Sequence, residues 1–173
     1  FYENEIKVTP KFSDNENLSI TSKRKLGKIE LCKSPRMYSD RNEIGPDVLD
    51  LDQGTFLELL DKKRGMIKTA LMDQSLFSGI GNIYSDEILF QSKTFPEKDL
   101  DDINEKERKS IYKSTKEVLR RSIRVNANPE KLPDNYIIPH RREGEKCPVC
   151  SGKIKKITIS GRGSYYCPTC QKK

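Results

Sequence analysis

The chain has 173 residues, of which 34% are hydrophobic and 34% charged, and its formal net charge is +7. That length admits one domain or two small ones, with cores smaller than the globular average provides. No stretch approaches the ~20 apolar residues of a membrane span and no signal-peptide pattern is present, so the reading is a cytoplasmic protein that does not enter a membrane.

The surplus charge is unevenly placed. From Arg141 to the end there are nine Lys or Arg against two Glu, while the preceding residues cancel at 24 of each sign. A basic terminal segment fits a polyanion partner, most simply nucleic acid, or ordinary solvated surface charge.

In chain order, Ile6-Lys-Val8 and Phe12, then Leu18-Ser-Ile20, alternate apolar and polar residues around a polar turn at 13–17. That pattern predicts a β-hairpin. Leu26-Gly-Lys-Ile29-Glu-Leu31 predicts a third strand after the basic turn Lys23-Arg24-Lys25. With so few apolar residues, the three read as the end of a larger sheet. Cys32 has no partner at metal spacing and reads as a half-buried strand residue. Residues 34–53, with Ser34-Pro35 and Gly45-Pro46-Asp47, read as a linker.

Helical patterning begins near Thr55 with Phe56, Leu59 and Leu60, and Arg64-Gly65 supplies a stop. A short helix from Met66 to Met72 carries Ile67, Ala70 and Leu71. A turn-rich stretch at 73–82 then leads into a helix bearing Ile83, Glu87, Ile88 and Phe90. Asn104 and Glu107 fit a capping box for the longest helix, with Ile111, Thr115, Val118, Leu119 and Ile123 as its buried stripe. Residues 127–139, with three prolines, form a connecting loop.

The last stretch carries the strongest chemical signal. Cys147-Pro-Val-Cys150 and Cys167-Pro-Thr-Cys170 are two Cys-x-x-Cys pairs separated by sixteen residues that read as a hairpin. Two such knuckles suit a closed, tetrahedral zinc site; two disulfides or a redox pair are the alternatives. Upstream, Gly79-Ile-Gly81-Asn82 closes a turn ahead of a helix. Glycines there let a phosphate approach the free N–H groups of a helix N-terminus, and Asn82 can cap the helix or donate to a phosphate oxygen. A tight corner between two helices accounts for the same residues, and Lys68 alone reads as a surface lysine.

The run Met66-Ile-Lys68-Thr-Ala-Leu-Met-Asp73 … Ser78-Gly79-Ile-Gly81-Asn82-Ile-Tyr84-Ser-Asp-Glu87-Ile-Leu-Phe90 resembles the helix-two-turn-helix segment of the formamidopyrimidine-DNA glycosylase and endonuclease VIII family. The ending, Gly144-Glu-Lys-Cys147 … Gly161-Arg162-Gly-Ser-Tyr165-Tyr166-Cys167-Pro-Thr-Cys170-Gln171, resembles that family's zinc hairpin. Gly45-Pro46-Asp47 and Lys25-Leu26-Gly27 are weaker matches, to the linker and to a DNA-probing loop.

The resemblance implies an α+β protein in four parts. These are a remnant of a β-sandwich at 1–33, a linker at 34–53, a helix-two-turn-helix DNA-binding domain at 54–139 and a zinc ribbon at 140–173. It implies one structural zinc held by Cys147, Cys150, Cys167 and Cys170, and a monomer that binds damaged double-stranded DNA. Lys68 and Asn82, with Gly81 at the turn, match residues that grip phosphates beside a flipped-out nucleotide. Arg162 matches the hairpin-tip arginine, and Glu87 a glutamate near the active centre, or else a carboxylate favoured by the helix dipole. Leu26 stands where a residue wedges into the stack, and Lys25 near one that faces the orphan base.

In that family the chain begins Pro-Glu, and the terminal proline amine attacks C1′ of the damaged nucleotide, whereas this sequence begins Phe1-Tyr2-Glu3. The expectation is therefore a C-terminal part of a bifunctional glycosylase and abasic-site lyase, able to bind damaged DNA but without the nucleophile. The alternative is a zinc-ribbon module that binds nucleic acid without catalysis. The short segment 127–142 points to oxidised pyrimidines or a broad preference.

Overall fold

The computed structural model describes residues 6–8, 20–22 and 29–172, and the chain divides into two compact units, 1–38 and 39–173. In the first, β1 (Ile6–Val8) pairs antiparallel with β2 (Ile20–Ser22), with Lys7 opposite Thr21, as the alternating pattern predicts. The predicted third strand does not form where it can be seen. Residues 29–31 lie outside any strand and Leu31 is 98% exposed, so its side chain has no sheet face to cover. Cys32 is likewise exposed rather than half-buried in a strand. Lys25 and Leu26 lie outside the described residues.

The stretch read as a linker is more ordered than its composition implies. α1 (Pro35–Arg41) runs across the division between the units. Its start follows from local chemistry: Pro35 occupies the first helical position, and Ser34 Oγ accepts the Met37 N–H at 3.2 Å. Further on, the Gly45 N–H donates to Gln74 O at 2.8 Å and the Ser78 N–H to Pro46 O at 2.9 Å. A Cβ on Gly45 would lie 2.6 Å from Ser75 O and 2.8 Å from the Leu76 carbonyl carbon, so only glycine fits there. Lys116 Nζ reaches Leu49 O at 2.7 Å, and burial lowers its pKa.

The second unit is built on four helices and a terminal hairpin. α2 (Gln53–Asp61) starts two residues earlier than the pattern suggests, because Asp52 caps it by accepting the Thr55 N–H at 2.8 Å. α3 (Ile67–Leu71) and α4 (Asn82–Gln91) flank the two-turn connection, and α5 (Glu105–Arg124) opens with the predicted capping box of Asn104 and Glu107. The core is centred on Phe56, stacked on Phe77 at 4.6 Å between ring centroids and tilted against Tyr112 at 5.4 Å.

On α5 the buried face follows Ile111, Thr115, Val118 and Ser122, whereas Ile123 is 62% exposed. Spacings of four and three carry that face to Ser122, whose hydroxyl meets Tyr84 Oη at 2.5 Å. The predicted stripe is therefore correct except at its last residue.

β3 (Lys155–Ile159) and β4 (Arg162–Tyr166) form the hairpin, with Ile159 opposite Arg162. Ser160 and Gly161 join them with φ of 49° and 73°, the two left-handed residues of a tight hairpin turn. The hairpin does not stand apart from the helices. Phe90 of α4 and Ile137 share a small core with Ile154, Cys147 and Cys167, and Phe95 meets the Tyr166 ring edge-on at 5.1 Å.

Gly45→Ala is expected to lower stability by about 1–3 kcal/mol, since the added methyl drives into backbone that cannot yield. Urea unfolding followed by circular dichroism measures it, and a change within error would show that residues 74–78 give way.

Candidate metal centre and nucleic-acid interface

The four sulfurs of Cys147, Cys150, Cys167 and Cys170 lie within 4.8 Å of one another. Three of their separations are 3.8 Å (Cys147 to Cys170), 3.6 Å (Cys150 to Cys167) and 3.5 Å (Cys150 to Cys170). A zinc ion with Zn–S bonds near 2.3 Å requires edges of about 3.8 Å, while a disulfide requires about 2.0 Å. The thiols are unpaired with one another and spaced for a metal.

The surroundings fit thiolates as well. The Val149 N–H points at Cys147 Sγ at 3.5 Å and the Gly152 N–H at Cys150 Sγ at 3.3 Å. A Cβ on Gly152 would sit 2.7 Å from Thr169 Oγ1 and 3.2 Å from two of the sulfurs. The site therefore holds one structural zinc. Bound there, the ion cross-links two knuckles and has no open position for water or substrate.

Gln171 locks this centre to the helices. Its Oε1 accepts the Cys167 N–H at 2.9 Å and its Nε2 donates to Thr94 O at 2.9 Å, just beyond α4.

Of the site residues expected from the two-turn segment, Lys68 is held by a group that sequence reasoning did not single out. Asp86, fully buried on α4, receives Lys68 Nζ and the Ser164 hydroxyl (2.8 Å) on Oδ1. On Oδ2 it receives Arg141 Nη2 at 2.7 Å, Arg141 Nε at 3.1 Å and the Tyr165 N–H at 3.1 Å. One carboxylate thus ties α3, α4, the lead-in to the hairpin and β4. Arg141 also lies over the Tyr165 ring, 4.9 Å from its centroid.

Lys68 is consequently not the surface lysine its neighbours suggest. It is fully buried, and burial lowers its pKa while Asp86 opposes that shift. The sequence signal available for Asp86 is its place one residue before Glu87; the burial of residues 85–90 is seen only in the structure.

Asn82 opens α4, and no side chain caps that helix; Gly81 precedes it in extended conformation, with open space where a Cβ would stand. The glycine that needs its freedom is Gly79, at φ 98°. The side chain of Gln74 spans the corner, donating to Ile80 O at 2.8 Å and accepting the Gly79 N–H at 3.3 Å.

Asn82 Nδ2 reaches across to Gly163 O on β4 at 3.1 Å, which leaves its buried Oδ1 without a hydrogen-bond partner. Thr69 of α3 meets Ser160 of the hairpin turn at 3.3 Å, and Arg162 is exposed with Nη1 4.0 Å from Met72 Sδ. The helix N-terminus and the arginine-bearing tip therefore face the same edge of the unit. Their positive ends are neighbours.

Glu87 does not join them. Its Oε1 accepts from Gln91 Nε2 at 2.7 Å and its Oε2 from the Ile138 N–H at 2.9 Å, anchoring the segment that leads to the hairpin. Burial pushes its carboxyl up to about 7, against the pull of those hydrogen bonds. It is a fully buried carboxylate that holds that segment against α4.

Two predictions follow from these two buried acids. Asp86→Ala leaves Lys68 and Arg141 buried without their counter-charge and is expected to cost about 3–5 kcal/mol of stability, seen as a lowered melting temperature. A shift too small to measure would show that the two cations escape to solvent. At Glu87 the folded state holds its proton more tightly than the unfolded state, whose carboxyl titrates near 4.5. Stability should thus fall as pH rises from 4.5 to about 7, by up to about 3 kcal/mol, and then level off. Glu87→Gln, which can still accept the Ile138 N–H once the Gln91 amide turns over, should flatten that slope.

Comparison with known proteins agrees with this geometry. The family description "Formamidopyrimidine-DNA glycosylase H2TH domain" matches residues 44–133, and "Zinc finger found in FPG and IleRS" matches residues 144–173. The formamidopyrimidine-DNA glycosylase of Mycoplasmopsis pulmonis is 41% identical over 71% of this chain and 48% of its own length. That of Lactococcus lactis subsp. cremoris is 33% identical over 96% of this chain and 66% of its own. A solved complex between the Lactococcus lactis Fpg and an abasic site containing DNA superposes with a TM-score of 0.80 at 32% identity, covering 95% of this chain and 65% of that one. The structure of MutM in complex with carbocyclic 8-oxo-G containing DNA gives 0.80 at 34% identity, with 95% and 65% covered. The chain thus spans about half to two thirds of the length of the relatives it matches. With a helix-two-turn-helix corner and a four-cysteine hairpin in the same order and the same arrangement, the chain belongs to the formamidopyrimidine-DNA glycosylase family.

Proposed function

We propose that these residues are the DNA-gripping part of a base-excision repair enzyme, a DNA glycosylase with abasic-site lyase activity that removes oxidised bases by Schiff-base chemistry. The observation that carries this reading is the bond from Asn82 to Gly163, which puts the N-terminus of α4 and the tip bearing Arg162 on one edge. A helix N-terminus and an exposed guanidinium are both complementary to phosphate, and together they can hold consecutive phosphates of one strand.

A base cannot be attacked inside a duplex, so its extrusion requires a bent, firmly held backbone. Contacts of this kind fix the position of the enzyme on DNA without reading sequence. In this reading Arg162, Asn82 and the N–H groups beyond Gly81 are the phosphate contacts. Lys68 contributes a buried positive charge just beneath them. Its ammonium reaches a phosphate directly only if it leaves Asp86. Lys25 and Leu26 are proposed to act at the gap left by the extruded nucleotide. Glu87 holds the lead-in to the hairpin through the Ile138 N–H.

The solved relatives hold abasic-site, carbocyclic 8-oxo-G and Fapy-dG DNA, which favours oxidised purines as the proposed substrate class over the oxidised-pyrimidine or broad preference suggested by the short segment 127–142. We propose that the protein acts as a monomer, in the compartment that holds the DNA.

Arg162→Ala is expected to weaken binding to duplex of any sequence and to reduce the log–log salt slope by about one unit at most. An unchanged slope would remove Arg162 from the phosphate contacts. The catalytic half of the proposal is tested by borohydride trapping of the protein that carries these residues on 8-oxo-G duplex. A covalent adduct supports it. Binding without any adduct would assign the protein to damage recognition alone.

A further inference from the structure

A trough among the described residues lies away from the edge that bears Asn82 and Arg162. It runs along the outer face of α5, has a volume of about 890 Å³ and is walled by Gln53, Gln91 and the segment around Pro133 and Tyr136. None of its lining residues belongs to α3, the two-turn corner or the hairpin. Its floor is cationic: Lys106, Lys109, Lys113, Arg120, Arg121 and Arg124 all line it and all are exposed.

Helical geometry, at about 100° per residue, places these six groups within one arc of about 120° and spreads them over about 27 Å of helix. Among the described residues, Lys109 alone of the six has an acidic partner, Glu105 at 2.6 Å. Lys106, Lys113, Arg120, Arg121 and Arg124 make no ion pair among the described residues. Glu117 is the one acid in the lining.

Such an arrangement sets like charges against one another along the helix, offset in part at Glu105 and Glu117. Lys106 and Lys109, Lys109 and Lys113, Arg120 and Arg124, and Arg121 and Arg124 are like charges three or four residues apart, a spacing that destabilises a helix. Only the last turn gains from the dipole. Among the described residues, no hydrogen bond uses these side chains apart from the Lys109 pair. The repulsion is relieved by a ligand that brings a row of negative charges over a similar length. Duplex DNA presents about one phosphate per 1.7 Å of axis, so about 27 Å of helix faces roughly eight base pairs.

We propose that the outer face of α5 is a second binding surface, for the phosphate backbone of duplex nucleic acid separate from the stretch held at Asn82 and Arg162. It rests on the proposed function only for the chemical class of its ligand. Two duplex surfaces on one protein allow one DNA segment to be held while another is released, which suits a protein that must search long DNA.

The test counts duplexes. The zinc-loaded protein is titrated at low salt with duplexes of about 12 base pairs, too short to reach both faces, and the stoichiometry is read by sedimentation. Two duplexes per protein are expected. Combining Lys113→Gln, Arg120→Gln and Arg124→Gln should abolish the second or weaken it at least about tenfold, leaving the first within about twofold. A charge-preserving companion with Lys113→Arg, Arg120→Lys and Arg124→Lys should keep both. Arg162→Ala should weaken the first duplex and spare the second, so failure of the proposed function is seen separately. A single duplex on the unaltered protein, or a second that survives the neutralised variant, would overturn the proposal. So would polyglutamate binding this face as tightly as duplex at matched charge, which would mark it as a surface for acidic proteins.

Discussion

A single carboxylate holds the second unit in its working shape. Asp86 is fully buried, and its two oxygens accept from Lys68, Ser164, Arg141 and the Tyr165 backbone. A buried carboxylate is tolerable only when paired and fully hydrogen-bonded, and each of these donors comes from a part of the chain that must be placed against another. With two cations on one anion the node stays net positive, beneath the edge where Asn82 and Arg162 lie. The same residue thus fixes geometry and sets the sign of the local field.

Zinc and the node divide the labour of holding the hairpin. The four thiolates close the base of β3 and β4, and Gln171 fastens that base to Thr94. Asp86 holds β4 at Ser164 and Tyr165, and the far end is held by Asn82 and Thr69. Metal alone would leave the tip free to swing about its base. Side-chain bonds alone would have to order a two-stranded ribbon, which is marginal without other support. Between them the turn at Ser160 and Gly161 is fixed against α3, and Arg162 is delivered to the edge.

Much of this was legible in the sequence. Cys-x-x-Cys spacing reports the metal because two thiols that close together can share an ion, and the capping box at Asn104 reports a helix start from strictly local bonds. Where the reading failed, the deciding contacts are remote in sequence. Residues 34–53 look like a linker because what orders them, the carbonyls of Gln74 and Ser78, lies about thirty residues away. Lys68 looks like a surface residue because its partner Asp86 is a turn of helix and two glycines further on. Ile123 was assigned to the core by its apolar character, whereas the helix turns Ser122 inward to meet Tyr84. At Leu31 and Cys32 an alternating pattern suggested a strand, but no described partner strand is there to make one.

The central claim is that the hairpin and the helix pair form one rigid gripping edge through Asp86. Native-state hydrogen exchange on the zinc-loaded protein tests it directly. The Tyr165 amide, which donates to Asp86, should open with the same free energy as the buried-turn amides of Ile88 and Leu89 in α4. A Tyr165 amide that exchanges about tenfold or more faster while α4 stays protected would show a hairpin that moves on its own, and would contradict the account.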